Sequence, residues 1–379
     1  MSKTFVKTVR LRLREPTVRK RDLIDEAMRQ SAIVANEAAK RMPGLPKNYI
    51  KNPKAKNSPL YGIVQDMRND GITLNAACAF EAVHKARESY LSMRRNKNFA
   101  IPVFERGFIR LHNRDNIDKF FERDGTYYVV LKIFPDEKIT LPFVLGDYQG
   151  YFLQRIIEGS LEHGTGEIVK NGGWHLNLTI KRKVNIDYEP ETFIGVDLGL
   201  NNIAWVTALD KGGKFLGEIH FNGGQTGWIR NRLFKKRRRL QGEGNLKMVK
   251  KIKDRESKWM ENKNHVVSRR IIEFAKQFEK PIICLEDIDG REIRKRCGKS
   301  RRIHSWAHAE LRNFIEYKAL EAGVLSKLVN PRNTSKTCHR CGHTDDANRE
   351  GIYFHCQNCG LSTNADFNAA WNIARNCWN

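Results

Sequence analysis

Phe193-Ile194-Gly195-Val196-Asp197-Leu198-Gly199 reads as a buried strand ending in a turn, with an acid at the end of its apolar run. Two more strand-like runs follow, at 203–209 and 214–221, and the turn signal Gly212-Gly213 separates them. Long basic helical segments are expected over about 225–280, then a buried-type strand from Pro281 to Ile288. A helix from about Ser305 to Ala322 places Leu311, Phe314, Ile315, Ala319 and Ala322 on one stripe. A strand at about 325–330 and a last helix from about Ala365 to Ala374 complete the run.

Three hairpin strands followed by helix, strand, helix, strand and helix is the order of an RNase H-like α/β domain. Upstream the texture differs. Residues 4–14 alternate, with Val9, Leu11 and Leu13 on one face and Arg10, Arg12 and Arg14 on the other, as in a half-buried strand with a cationic open face. Helical patterns run from Pro16-Thr17 to about Met42 and over roughly 60–96, around an exposed basic loop at 43–59. From about 99 to 190 the chain breaks into short β-rich runs, such as 126–133, 138–141 and 174–180, the last preceded by a Gly172-Gly173 turn. The first half therefore reads as a small β-barrel or sandwich interrupted by a helical insert, with the first strand joining the later ones.

The chain has 379 residues, with 68 Lys plus Arg against 43 Asp plus Glu, a formal charge of +25. Residues 1–190 contribute +11 and residues 191–379 contribute +14, so a polyanion is expected along the whole molecule. No apolar run approaches the ~18 residues of a membrane helix, and the N-terminus has no signal-like apolar stretch. Membrane and secreted classes are excluded on this reading, and a reducing cytoplasm is expected. Of eight cysteines, Cys78, Cys284, Cys297 and Cys377 stand singly and read as packing residues or reduced thiols.

The other four form two C-x-x-C pairs, Cys338/Cys341 and Cys356/Cys359, separated by fourteen residues. Each pair can turn both thiolates toward one metal, and two pairs complete a tetrahedral four-sulfur zinc site. Gly342 and Gly360 follow the second cysteines, where tight turns can aim amides at sulfur. His339, His343 and His355 lie nearby, but four thiolates leave them no vacancy. Such a closed site is structural. Asp197, Glu286 and Asp366 each sit beside an apolar run, where an unpaired charge is costly unless it meets a cation. On adjacent strands and a facing helix, three such acids can hold two Mg²⁺ ions about 4 Å apart for phosphodiester hydrolysis. Asp287 and Asp289 compete with Glu286 by position alone. Gly199 leaves room for a phosphate backbone. Two basic runs offer phosphate contacts. One contains Arg230, Arg232, Lys235, Lys236, Arg237, Arg238 and Arg239; the other contains Arg294, Lys295, Arg296, Arg301 and Arg302. Trp306, after the second run, could stack on a base.

Taken in order, Gly-Val-Asp197-Leu-Gly-Leu-Asn, Leu-Glu286-Asp-Ile, Asn330-Pro331-Arg-Asn-Thr334-Ser335-Lys-Thr-Cys338-x-x-Cys341-Gly and Cys356-x-x-Cys359-Gly…Asp366-x-Asn368-Ala369-Ala370 resemble the TnpB family. These are transposon-encoded, RNA-guided DNA endonucleases related to the type V CRISPR effectors. The resemblance implies a multidomain α+β chain with a wedge-like β-barrel at 1–15 and 97–190 and a helical recognition insert at 16–96. It implies a RuvC-like nuclease at 191–330 and 361–379, with a zinc ribbon at 331–360. It assigns Asp197, Glu286 and Asp366 as catalytic Mg²⁺ ligands, which selects Glu286 over its neighbours. It also implies a guide RNA from the transposon end, double-stranded target DNA cut beside a short adjacent motif, one chain per RNA, and a prokaryotic, nucleoid-associated cytoplasmic setting. Family members often carry an acid and an arginine before the last Asp, where this chain has Asn364-Ala365. Three alternatives stay open: a nuclease-inactive RNA-guided repressor, a compact type V effector working as a dimer, and a guide-free resolvase-like nuclease.

Overall fold

The computed structural model describes residues 2–46, 48, 50, 58–199, 201–288 and 308–378. The chain divides into two compact units, Val6–Arg182 and Lys183–Asn379, the latter taking in Met1–Phe5. It is a mixed α/β multidomain chain. No helix among the described residues is long and apolar enough to cross a membrane.

In the unit Val6–Arg182, β1 (Ser2–Arg12) buries Val9 and Leu11, as its alternation requires. Helices α1 (Val18–Arg41), α2 (Pro59–Asn69) and α3 (Ala76–Arg95) follow. The expected single helical block at 60–96 is broken because Gly71 turns at φ 97° and Asn75 caps a fresh helix by accepting from Ala77 N–H at 2.9 Å. The strands β2 (Ile109–Leu111), β3 (Ile117–Arg123), β4 (Thr126–Phe134) and β5 (Glu137–Pro142) precede helix α4 (Asp147–Ile157). Strands β6 (Glu162–Lys170) and β7 (Trp174–Asn185) complete the unit, joined by a turn with Gly172 at φ 66°. The first strand does join the later ones, in the order β1-β7-β6-β2, while β3-β4-β5 form a second sheet. The sheets do not close into a barrel. Past β1, Arg14 N–H bonds Pro142 O and Val144 N–H bonds Arg12 O, each at 2.8 Å, so the sheets touch at one corner. Three-residue β2 is too short to carry a ladder round to β3.

The unit Lys183–Asn379 is built on β8 (Thr192–Asp197), β9 (Asn202–Asp210) and β10 (Phe215–Asn222). The long helices α5 (Gly224–Gly242) and α6 (Leu246–Ala275) lead to β11 (Pro281–Glu286). Helix α7 (His308–Glu321) and β12 (Leu325–Val329) follow. Three short strands, β13 (Arg349–Glu350), β14 (Tyr353–His355) and β15 (Ser362–Asn364), form a sheet of their own before helix α8 (Ala365–Asn376). The main sheet runs β10-β9-β8-β11-β12, antiparallel on the β8–β10 side and parallel through β8, β11 and β12. One face packs Val196, Val206 and Leu285 against Ile271 of α6 and Leu311, Ile315 and Ala319 of α7. Of the stripe expected for that helix, Phe314 is half-buried against His265 and Ala322 is exposed past the helix's end. The other face packs Phe193, Leu209 and Cys284 against Ile373 and Ala374 of α8.

Two contacts hold α8 hard against the sheet. A Cβ on Gly195 would lie 1.9 Å from Ala370 O and 2.5 Å from Ala374 N, so glycine is what lets the helix backbone approach. Cys284 and Cys377 are joined as a disulfide across a Cα–Cα distance of 6.1 Å. That corrects the expectation of reduced thiols: strand and helix meet at a spacing a bridge can span. Cys78 remains a free, buried thiol, as expected, and burial pushes it up to about 12. Cys297 lies outside the described residues.

Candidate metal centre and nucleic-acid interface

Asp197 is the last residue of β8 and Glu286 the last of β11. These strands are adjacent and parallel, with Leu285 opposite Val196, so the register sets Glu286 beside Asp197 at one end of the sheet. Asp366 is the second residue of α8. The Asp197 carboxyl is held well above the usual carboxylate range, first by burial and then by the negative fields of Glu286 and Asp366, with Arg349 opposing. Burial also raises Glu286, against a hydrogen bond from Thr334 and the charge of Arg349. Three acids from distant parts of the sequence therefore share one electrostatic site.

Their partners were not legible in the sequence. Asn202 Nδ2 donates to Asp366 Oδ2 at 2.9 Å, and Arg349 Nη2 donates to Asp366 Oδ1 at 3.3 Å. Thr334 Oγ1 donates to Glu286 Oε1 at 2.5 Å. Asn364, which stands where an acid was expected from the family pattern, caps α8 by accepting from Asp366 N–H at 2.8 Å and Phe367 N–H at 3.4 Å. The arginine that meets Asp366 is Arg349, 17 residues before it in the chain. Asp287 turns outward to pair with Arg312 at 3.4 Å, and Asp289 lies outside the described residues. A Cβ on Gly199 would lie 2.8 Å from Asn202 O, so that glycine serves the hairpin's own closure.

The ligand atoms of Cys338, Cys341, Cys356 and Cys359 all lie within 4.8 Å of one another. Four sulfurs at that spacing suit a tetrahedral Zn²⁺. Without metal Cys338 and Cys341 differ. Burial pushes Cys338 up to about 12, while the backbone amide of His343 draws Cys341 down to about 6. Gly342 and Gly360 turn at φ 77° and 68°, as the knuckles require. Their amides bond the carbonyls of Cys338 and Cys356 rather than sulfur, and Cys359 N–H reaches Cys356 Sγ at 3.5 Å. The histidines are engaged elsewhere: His339 stacks on Trp371 with ring centroids 4.6 Å apart, and His355 bonds Ser362 at 2.7 Å. His343 lies 3.9 Å from Asp345.

The first basic run falls on α5. Arg230 and Arg237 turn toward α6 and pair with Glu256 at 3.3 and 3.4 Å, while Arg232, Lys235, Lys236, Arg238 and Arg239 are exposed. Arg239 also pairs with Glu243 on the surface at 3.4 Å. Arg294, Lys295, Arg296, Arg301, Arg302 and Trp306 lie outside the described residues.

Fold and site thus define a mixed α/β multidomain protein with a three-carboxylate centre beside a four-thiol ribbon. Residues 308–373 match the Cas12f1-like TNB domain family. A CRISPR-associated endodeoxyribonuclease Cas12f1 of Sulfoacidibacillus thermotolerans is 24% identical over 370 residues, covering 86% of this chain and 84% of that one. A TnpB-like protein of Methanocaldococcus jannaschii is 29% identical over 251 residues, covering 63% of this chain and 87% of the relative. The solved Cas12f1 in a complex with single-guide RNA and target DNA shares the fold, with a TM-score of 0.71 at 17% identity over 98% of this chain and 99% of that one. The chain is thus similar to Cas12f1 and to TnpB-like proteins.

Proposed function

We propose that the protein is an RNA-guided DNA endonuclease encoded by a transposable element, cutting DNA at the centre formed by Asp197, Glu286 and Asp366. The observation that carries this reading is the strand register that sets Glu286 beside Asp197, with Asp366 close enough to act on the Asp197 carboxyl. Like charges crowd together in this way where a cation offsets them. The similarity to a Cas12f1 endodeoxyribonuclease over most of both chains supports the same chemistry. On this reading residues 191–330 and 361–379 are a RuvC-like nuclease, 331–360 a zinc ribbon, 1–15 and 97–190 a wedge module, and 16–96 a recognition insert. The setting is the prokaryotic cytoplasm, with one chain per RNA.

The three carboxylates suit a pair of Mg²⁺ ions, which when bound supply Lewis acidity to the attacking water and the leaving 3′ oxygen. The chain's own residues do the positioning. Asp197 lies in the field of the other two acids, and Asn202 and Arg349 fix both oxygens of Asp366. The exposed cations of α5 bind phosphates without reading sequence, and guide–target pairing supplies the choice of site. The zinc ribbon, held by Cys338, Cys341, Cys356 and Cys359, is structural.

The test is cleavage of a plasmid by the protein purified with its bound RNA, the RNA being sequenced to design the target. Cutting that needs Mg²⁺ and is abolished by D197A, E286A or D366A is the expected result. No product with any divalent ion would leave an RNA-guided binder instead. The match to Cas12f1 favours one second reading, a compact CRISPR effector. A bound RNA of CRISPR-repeat sequence, rather than transposon-end sequence, selects it.

A further inference from the structure

Glu286 and Asp366 stand on separate elements, the end of β11 and the start of α8, and what fixes one relative to the other lies in the turn between them. Asn330–Thr337 leaves the sheet after β12 and enters the first cysteine knuckle. Asn333 takes the left-handed conformation there at φ 62°, and its carbonyl accepts from Lys336 and Thr337 N–H, so the turn is tight. Thr334 follows and is 4% exposed. Threonine in a turn commonly bonds its own neighbouring backbone. Here Pro331 O is within 3.1 Å, yet the hydroxyl also reaches Glu286, 48 residues away, at the shorter distance of 2.5 Å. A hydroxyl has one proton to give, and an ionised carboxylate is the stronger acceptor.

The backbone of Thr334 is tied to α8. Asn372, 4% exposed, donates one Nδ2–H to Thr334 O at 2.9 Å and the other to Thr337 O at 2.7 Å. Asn368, fully buried one helical turn earlier, donates to Thr337 O at 2.8 Å and accepts from His339 N–H at 3.0 Å. A continuous path thus runs from the Glu286 carboxylate through the hydroxyl and carbonyl of Thr334 to Asn372 and the helix that carries Asp366. Buried polar groups of this kind cost stability unless all are paired, and a paired network holds a single geometry.

We propose that Thr334 is a positioning residue of the acid centre: its hydroxyl ties the Glu286 carboxylate on β11 to the frame of α8, the helix that carries Asp366, and so holds Glu286 in one orientation for divalent-cation binding. The proposal rests on the nuclease-site reading given above. One oxygen of Glu286 is engaged by the hydroxyl. Substituting a partner that orients a metal ligand typically costs about 10–100-fold in metal affinity or activity.

The test uses the full chain with its bound RNA and Mn²⁺ as the probe, its binding followed by the loss of the free-ion spin-resonance signal, with DNA cleavage measured alongside. T334V removes the hydroxyl at nearly constant shape, and T334S keeps it. T334V is expected to retain parental zinc content while Mn²⁺ affinity falls about tenfold or more, and cleavage falls most at limiting cation. T334S is expected to keep parental affinity. Parental affinity in T334V overturns the proposal, and so does a T334S protein as weak as T334V. Loss of zinc in T334V also overturns it, since the hydroxyl would then be holding the ribbon rather than the carboxylate. A parent whose Mn²⁺ binding is untouched by D197A overturns the nuclease-site reading and this proposal together. Binding that depends on Asp197 but is indifferent to T334V sinks the proposal alone.

Discussion

At Asp197 the fold opposes a charge on the carboxyl. Burial and the fields of Glu286 and Asp366 raise its carboxyl well above the ordinary range, so the folded, metal-free chain binds that proton more tightly than the unfolded chain does. Its contribution to stability is complete while the carboxyl is protonated and is lost as pH rises from the ordinary aspartate range through the raised value. Asp197→Asn removes the penalty. The metal-free D197N protein is therefore expected to melt above the parent at neutral pH, by about 2–4 °C for each kcal/mol recovered. The gap should close as the pH is lowered toward the ordinary aspartate range, and equal melting at neutral pH would refute the account. Asp197 and Asp366 stood out as acids beside an apolar strand or helix start, whereas only the family resemblance separated Glu286 from Asp287 and Asp289. Asn202, Thr334 and Arg349 were not legible, because they act across separations of 164, 48 and 17 residues and nothing local marks a side chain whose partner is distant.

Helix α8 holds its acid in place through how closely it lies on the sheet. Gly195→Ala puts a methyl carbon where Ala370 O and Ala374 N already stand, so either the helix or β8 must shift. Overpacking of this kind costs about 1–3 kcal/mol, and here the shift also moves Asp366 away from Asp197. G195A is expected to melt earlier and to cut far more slowly even at saturating Mg²⁺; parental melting and cutting would show that the helix yields without consequence. At the other end of the helix, the Cys284–Cys377 bridge closes a separation of 93 residues. Reductant should lower the melting temperature of the parent, a loss of about 2–4 kcal/mol, and leave C377S unchanged. Two titratable thiols at these positions in unreduced protein would contradict it. Helices and strands with strong periodicity, such as α7 and β1, were legible in advance. Helix α4 was not, because its 11 residues interrupt a β-rich stretch and bury only Phe152 and Leu153. The bridge escaped notice for another reason: its two cysteines are adjacent only once α8 has packed on β11.

Across the whole chain the excess of 25 positive charges was visible at once, but the division of labour among them was not. The run on α5 reads as seven equivalent cations, and the fold makes them unequal. Arg230 and Arg237 face Glu256 of α6 and brace the helix pair, whereas Arg232, Lys235, Lys236, Arg238 and Arg239 face solvent. Only cations free to meet phosphates release counterions on binding, at a slope of about 0.9 in log affinity against log salt for each duplex phosphate and about 0.7 for each single-strand phosphate. Replacing Lys235, Lys236 and Arg238 by alanine should therefore weaken DNA binding by the RNA-loaded protein. The salt slope should become shallower by about 2–3, with melting nearly unchanged. Replacing Arg237 alone should do the opposite, because it removes an arginine that faces Glu256 between the helices: melting falls and the salt slope holds. Binding titrations at four or five salt concentrations separate the two. A triple variant with the parental slope would move the polyanion off this helix and onto the remaining basic surface of the molecule.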